Sequence, residues 1–183
     1  MTIKIKAPLE SDVINHLKAG DAVLLSGIVY TARDAAHKRM YESLLREEKL
    51  PFDIENQVFY YVGPTPAKPG QIIGSAGPTT SERMDRYTPL LLEKGLKGMI
   101  GKGYRNEEVK QAIVHNQAVY FAAIGGSAAL IAQKIKSVEV IAYEDLGTEA
   151  VRKMEVEDLP LIVINDAKGN DYYQIGIDLY KEP

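Results

Sequence analysis

The strongest constraint on the fold is a change of hydrophobic period within a short stretch of chain. Ala22-Val23-Leu24-Leu25-Ser26-Gly27-Ile28-Val29-Tyr30 is rich in β-formers and reads as a buried strand. From Arg33 onward Ala36, Met40, Tyr41, Leu44 and Leu45 instead fall at helical spacing, with Lys38, Glu42 and Arg46 on the other side and Thr31 or Asp34 available as N-cap. A strand that leads straight into an amphipathic helix directs the chain toward stacked layers of helix and sheet. The alternation recurs. Residues 58–62 read as a strand before a Pro- and Gly-rich loop at 63–70, and residues 71–81 as a loop opening a helix at Glu82. Thr88 before Pro89 fits an N-cap, and that helix stops at Gly95. Residues 96–100 form a strand, 107–116 a helix, 118–124 a strand and 127–135 a helix. Strands at 138–143 and 161–165 follow, and residues 172–177 are expected to pair with the latter across Lys168-Gly169-Asn170. The expectation is an α/β fold, a mixed sheet flanked by helices, in a single domain over residues 1–183.

Composition excludes several classes of function. With 22 Lys and Arg against 25 Asp and Glu, a formal charge of -3 is too balanced for nucleic-acid binding through the phosphate backbone. The longest uncharged run, residues 118–133, is shorter than the ~20 residues of a bilayer span and is broken by Gly125-Gly126-Ser127, so no membrane span is expected. Ile3 and Ile5 alternate with Lys4 and Lys6 without the apolar stretch of a secretory leader, which reads as a cytoplasmic protein. There is no cysteine, so neither a disulfide framework nor a thiolate-held metal centre can be built from this chain by itself. No His, Asp and Glu cluster has the spacing of a zinc site.

Reactive groups concentrate in three segments at expected strand ends: residues 30–37, residues 77–85, and Gly101-Lys102-Gly103. Open α/β sheets collect ligands at such turns, and free N–H groups at helix N-termini favour anions. Each segment also has an ordinary structural reading. Arg33 beside Asp34 can be a surface ion pair, and Thr79-Thr80-Ser81 can be turn chemistry. Taken together, Arg33, Arg83, Lys102 and the adjacent hydroxyls suit a small molecule with two carboxylates, because a guanidinium grips a carboxylate through two parallel hydrogen bonds. His37 stands one helical turn after Asp34, either as a helix-stabilising pair or as an imidazole held by the carboxylate. His16 and His115 read as structural or solvated. Gly125-Gly126-Ser127 fits an anion cradle or close strand–helix packing equally well.

The same segments resemble the β part of the iron–sulfur-dependent hydro-lyases, the class I fumarase and L-tartrate dehydratase family. The resemblance rests on Tyr30-Thr31-Ala32-Arg33-Asp34-Ala35-Ala36-His37-Lys38-Arg39, on Gly77-Pro78-Thr79-Thr80-Ser81 with Arg83-Met84-Asp85, on Gly101-Lys102-Gly103, and on Gly125-Gly126 with Asp145-Leu146-Gly147-Thr148-Glu149-Ala150. It spans nearly the whole chain.

The resemblance implies a swivelling β/β/α-type domain and a reversible addition of water to a 2-enedioate. Fumarate to malate is the first reaction implied and L-tartrate to oxaloacetate the second, with a stand-alone carboxylate- or anion-binding module as the non-enzymatic alternative. It implies a 4Fe-4S cluster held by the cysteines of a partner α subunit, in a heterotetramer, with this chain as the separate β subunit. By the same resemblance Arg33 and Arg83 clamp the substrate carboxylates, Thr79 and Lys102 assist, and Thr80 is the proton-abstracting residue. Asp34 and His37 stand as possible supports. A threonine hydroxyl is a poor base unless neighbouring positive charge, here Arg83 or Lys102, or a partner's group draws off its proton.

Overall fold

The run Val58-Phe59-Tyr60-Tyr61-Val62 is apolar at every position because both of its faces are covered. In the computed structural model, which describes residues 2–123 and 128–180, this run lies at the centre of a mixed sheet. The elements are β1 (Ile3–Ala7), α1 (Ser11–His16), β2 (Ala22–Thr31), α2 (Asp34–Leu45), β3 (Val58–Tyr60), α3 (Thr88–Glu93), β4 (Gly98–Gly101), α4 (Glu107–His115), β5 (Val119–Ala123), α5 (Ala128–Gln133), β6 (Ile135–Ala142), β7 (Val151–Asn165) and α6 (Tyr172–Tyr180). Short 3₁₀ turns occupy Ser81–Met84 and Glu144–Glu149.

The strand order is β1-β2-β3-β4-β5-β7-β6, with a further pairing of β2 to β7. Strands β1 to β5 run parallel, whereas β7 is antiparallel to β2, β5 and β6. The β2–β7 pairing closes β2, β3, β4, β5 and β7 on themselves, so the sheet is partly barrel-like. Val58, Tyr60 and Val62 pack inward with Leu25, Val29, Phe121, Leu161 and Val163. Phe59 and Tyr61 face outward, onto Met40 of α2, Leu91 of α3, and Val109 and Ile113 of α4. Alternate residues of one strand thus belong to two cores, which is why its sequence shows no polar side.

Several expectations are corrected. The strand foreseen at 161–165 starts ten residues earlier, so β7 is 15 residues long. Residues 172–177 are helical, not a strand. Both edges of the last part of β7 are already occupied, by β5 and β2, and a single bridge from Asn165 to Asp171 is the pairing that remains. Asp166 Oδ1 accepts the backbone N–H groups of Lys168 and Asn170, each at 3.0 Å, which turns the chain away. Asp171 Oδ1 then accepts from the Tyr173 N–H at 3.0 Å and starts α6. Helix α5 ends at Gln133, and Ile135 begins β6.

Helix α2 is capped by neither Thr31 nor Asp34. Arg33 takes the N-cap position without a side-chain cap, and Thr31 Oγ1 accepts from the Arg152 N–H at 2.9 Å, tying β2 to β7 instead. Thr88 is the first helical residue of α3 and not its cap; its hydroxyl donates to the Met84 carbonyl at 2.9 Å. The glycine pair Gly125-Gly126 and Ser127 lie outside the described residues.

Candidate active site

The carboxyl ends of three parallel strands, β2, β3 and β4, lie side by side, and the turns that leave them are stitched by backbone hydrogen bonds. The Ala32 N–H donates to the Tyr60 carbonyl at 3.1 Å, and the Tyr61 N–H donates to Ile100 at 2.8 Å. The chain that returns through residues 76–81 then adds itself to this edge. Thr79 N–H donates to the Tyr61 carbonyl at 2.6 Å, Lys102 N–H to Thr79 at 3.3 Å and Ser81 N–H to Lys102 at 2.9 Å, with Thr80 and Lys102 in a parallel bridge. Gly101 makes this approach possible, since a methyl group on its α-carbon would overlap the Ser81 hydroxyl. Arg33, Thr79, Thr80 and Lys102, far apart in sequence, are therefore gathered at one end of the sheet.

Arg33 leaves the end of β2 and lies over the backbone of Gly63, where a Cβ would come within 2.8 Å of its terminal nitrogen. Three-quarters of its side chain is buried. Its Nε is 3.6 Å from Glu149 Oε1 and a terminal nitrogen is 3.7 Å from Asp34 Oδ2, distances of attraction but not of hydrogen bonding. Nε of Arg33 and Oδ2 of Asp34 are both buried without a hydrogen-bond partner. Arg83, on the 3₁₀ turn, is more exposed and places Nε 2.9 Å from Asp34 Oδ1. Asp34 thus stands between the two guanidinium groups. Thr80 and Lys102 are exposed and Thr79 is half-buried; Lys102 has no ion pair among the described residues.

Glu149 is held in reach of Arg33 by a second pairing. Arg39 of α2 binds Asp145 through two hydrogen bonds of 2.8 Å, which fastens the turn Glu144–Glu149 onto that helix. Arg152 braces the same turn by donating to the carbonyls of Gly147, Thr148 and Ala150 at 2.9 to 3.1 Å.

His37 does not pair with Asp34 through a hydrogen bond. It is fully buried, its Nδ1–H donates to the carbonyl of Arg33 at 2.9 Å, and Nε2 is left without a partner. The rings of Phe59 and Tyr61 cover it edge-on, with centroids 5.8 and 5.2 Å away. Burial pushes its pKa from 6.5 down to about 4, and the nearby Arg105 charge acts in the same direction against the pull of the Arg33 carbonyl and Asp34. The imidazole is neutral near pH 7, and its hydrogen bond holds the Arg33 carbonyl at the start of α2.

Sequence reasoning missed Glu149 as a partner of Arg33 and missed the buried pair Asp85–Arg105, 2.7 Å apart. Asp85 stands two residues after Arg83, and Arg105 two after Gly103. The signal available was adjacency to site residues, because nothing in their spacing marks them as partners.

The residues present do not fit an iron–sulfur cluster. There is no cysteine in the chain, and no three His, Asp or Glu converge among the described residues. No helix among the described residues is long and apolar enough to cross a membrane.

Residues 1–176 match the family model described as the fumarase C-terminus. Over 152 residues, 82% of its length, the chain is 41% identical to the aerobic class I fumarate hydratase of Escherichia coli and covers 28% of that protein. It is 37% identical over 175 residues to fumarate hydratase 2 of Leishmania major, covering 31% of that protein. Against the putative L(+)-tartrate dehydratase subunit beta of Methanocaldococcus jannaschii it is 39% identical over 167 residues, 88% of this chain and 86% of that one. The chain therefore spans under a third of the fumarate hydratases and most of the β subunit. With a strand-end site that brings Arg33, Arg83, Thr79, Thr80 and Lys102 together and a family match over nearly its whole length, this chain belongs to the fumarase C-terminus family, alongside class I fumarate hydratases and tartrate dehydratase β subunits.

Proposed function

We propose that this chain is the substrate-gripping β component of an iron–sulfur-dependent hydro-lyase that reversibly hydrates fumarate to malate, working with a partner that carries the cluster. The observation that carries this reading is the unsatisfied guanidinium of Arg33. Arg33 is three-quarters buried, its Nε has no hydrogen-bond partner and its carboxylate neighbours stand beyond hydrogen-bonding distance, so its donors are costly to leave unmet unless a ligand accepts from them. A dicarboxylate answers that need, one carboxylate for the fork of Arg33 and the second within reach of Arg83.

The cluster belongs to the partner, so this chain's residues bind the substrate, orient it and move the proton. Arg33 and Arg83 hold the carboxylates, and Thr79 and Lys102 complete their hydrogen bonding. Loss of a proton from the carbon beside a carboxylate pushes charge into that carboxylate, so arginine donors aimed at it bind the transition state better than the ground state. Thr80 takes the proton as its alkoxide, its own hydroxyl proton having passed to a base supplied by the partner. Lys102, whose backbone is bridged to that of Thr80, brings a positive charge to the same strand end that favours the ionised form.

The match along 86% of a putative tartrate dehydratase β subunit supports a second reading, dehydration of L-tartrate to oxaloacetate. Both substrates end in carboxylates, so the same clamp serves either. Turnover of malate and of L-tartrate by the chain assembled with its α component distinguishes them. Malate consumed at a kcat/KM at least tenfold above that for tartrate is expected, and the reverse order establishes the second reading.

A further inference from the structure

Beneath the turns that carry Thr80, Arg83 and Lys102 lies a polar network sealed from solvent. Arg105 is 4% exposed; its Nε donates to Asp85 Oδ1 at 2.7 Å, and its terminal nitrogens donate to Thr88 Oγ1 at 2.8 Å and to the Tyr61 hydroxyl at 3.2 Å. The other Asp85 oxygen accepts the Asn106 N–H at 2.8 Å. The guanidinium also lies 4.9 Å from the Tyr120 ring centroid and 5.3 Å from that of Tyr61. Buried ion pairs are weak sources of stability, since apolar replacements of similar volume often do as well. What this one supplies is a fixed platform for Tyr120.

Tyr120, at 0% exposure, carries that platform up to the site. Its hydroxyl lies 2.8 Å from Ser81 Oγ and donates to the Gly103 carbonyl at 2.9 Å, so the Ser81 hydroxyl is the donor in the first contact. Ser81 directly follows Thr80, and Gly103 directly follows Lys102. One buried oxygen thus bonds to the neighbour of each of the two groups that would handle the proton. Gly103 is held at a φ of +84°, with its α-carbon facing the Thr80 methyl group. The hydroxyl spends its proton on Gly103 and accepts from Ser81, so it serves geometry and has no proton free for a substrate.

We propose that Tyr120 is a positioning residue, whose hydroxyl holds Ser81 to Gly103 and thereby sets the separation of Thr80 and Lys102. The assignment of Thr80 and Lys102 rests on the proposed hydro-lyase function; the tethering itself does not. Substituting Tyr120→Phe keeps the ring against Arg105 and removes both hydrogen bonds, while Ser81→Ala removes one of them from the other side.

The test has two arms. In the complex with the α component, Tyr120→Phe lowers kcat by about tenfold or more, as expected when reacting groups shift by a fraction of an ångström, while KM changes by a smaller factor than kcat because Arg33, the buried arm of the clamp, is untouched. Ser81→Ala lowers kcat in the same direction, and the double variant is no worse than Tyr120→Phe. In the full chain alone, hydrogen exchange at the Ser81 and Lys102 amides, which bond across the two turns, accelerates about tenfold in Tyr120→Phe, while the Tyr61 amide on the β3–β4 ladder keeps its protection. Unchanged exchange at Ser81 and Lys102, exchange that rises equally at Tyr61, or an unchanged kcat each overturns the proposal. A wild-type complex that turns over neither malate nor tartrate overturns the hydro-lyase reading, and the exchange arm then still decides the tether.

Discussion

Arg83 reaches back to Asp34, Nε to Oδ1 at 2.9 Å, so that a guanidinium from one turn and a carboxylate from the start of α2 close the same site. Asp34 also faces Arg33 at 3.7 Å, which makes it a bridge between the two cations. Asp34→Asn keeps the shape and removes the charge that draws them together. It is expected to raise KM for the dicarboxylate about tenfold with little loss of kcat, as steady-state kinetics would measure. An unchanged KM would mean that the bridge does not organise the clamp.

Arg33→Ala and Arg83→Ala are expected to leave the fold intact, because neither side chain belongs to the apolar clusters on the two faces of the sheet. Truncating one partner of a desolvated charge pair costs ~2–5 kcal/mol, so kcat/KM should fall at least about a hundredfold. Near-normal kinetics in the assembled complex would reduce both arginines to surface ion pairs.

Much of this arrangement was legible where the information is local. The helical spacing of Ala36 and Met40 and the continuous apolar run from Val58 to Val62 described the layers correctly, and the candidate site residues are legible as charged or hydroxyl groups at expected strand ends. The long β7 was not legible, because its buried positions Val151, Met154 and Val156 are offset by one residue from strict alternation. Residues 172–177 carry enough apolar side chains for a strand, and only the occupied edges of β7 decide against it. Asp85 meets Arg105 between two turns, and Tyr120 of β5 meets Ser81 of the 3₁₀ turn, each over a long stretch of intervening sequence; no local pattern announces such a pair.

His37 supplies a test through pH. Folding lowers its pKa from 6.5 to about 4, so between these values the unfolded chain binds more protons than the folded one. The stability it contributes is complete above pH 6.5 and is lost as the pH falls toward 4, a change of about 3 kcal/mol. His37→Gln removes that titration. Denaturant unfolding at a series of pH values should show a shallower decline for the variant across this window, and an identical decline would contradict the burial assigned to the imidazole.

Thr80 separates proton abstraction from hydrogen bonding. Thr80→Val should abolish turnover while substrate binding survives, because the clamp at Arg33 and Arg83 is untouched, and Thr80→Ser should retain part of the activity. Exchange of the malate C3 hydrogen in deuterated buffer reads abstraction apart from loss of the hydroxyl. If Thr80→Val still exchanges that hydrogen at the wild-type rate, the base lies elsewhere and Thr80 only positions.

Fumarate hydration, followed anaerobically for this chain alone, for an α component with a reconstituted cluster, and for the two mixed, tests the central claim most directly. The predicted result is malate formation in the mixture only, lost again on exposure to oxygen, with no product from this chain, which has no cysteine to hold a cluster. Fumarate hydration by the isolated chain after metal chelation would contradict the account, as would a mixture inert toward fumarate, malate and tartrate alike.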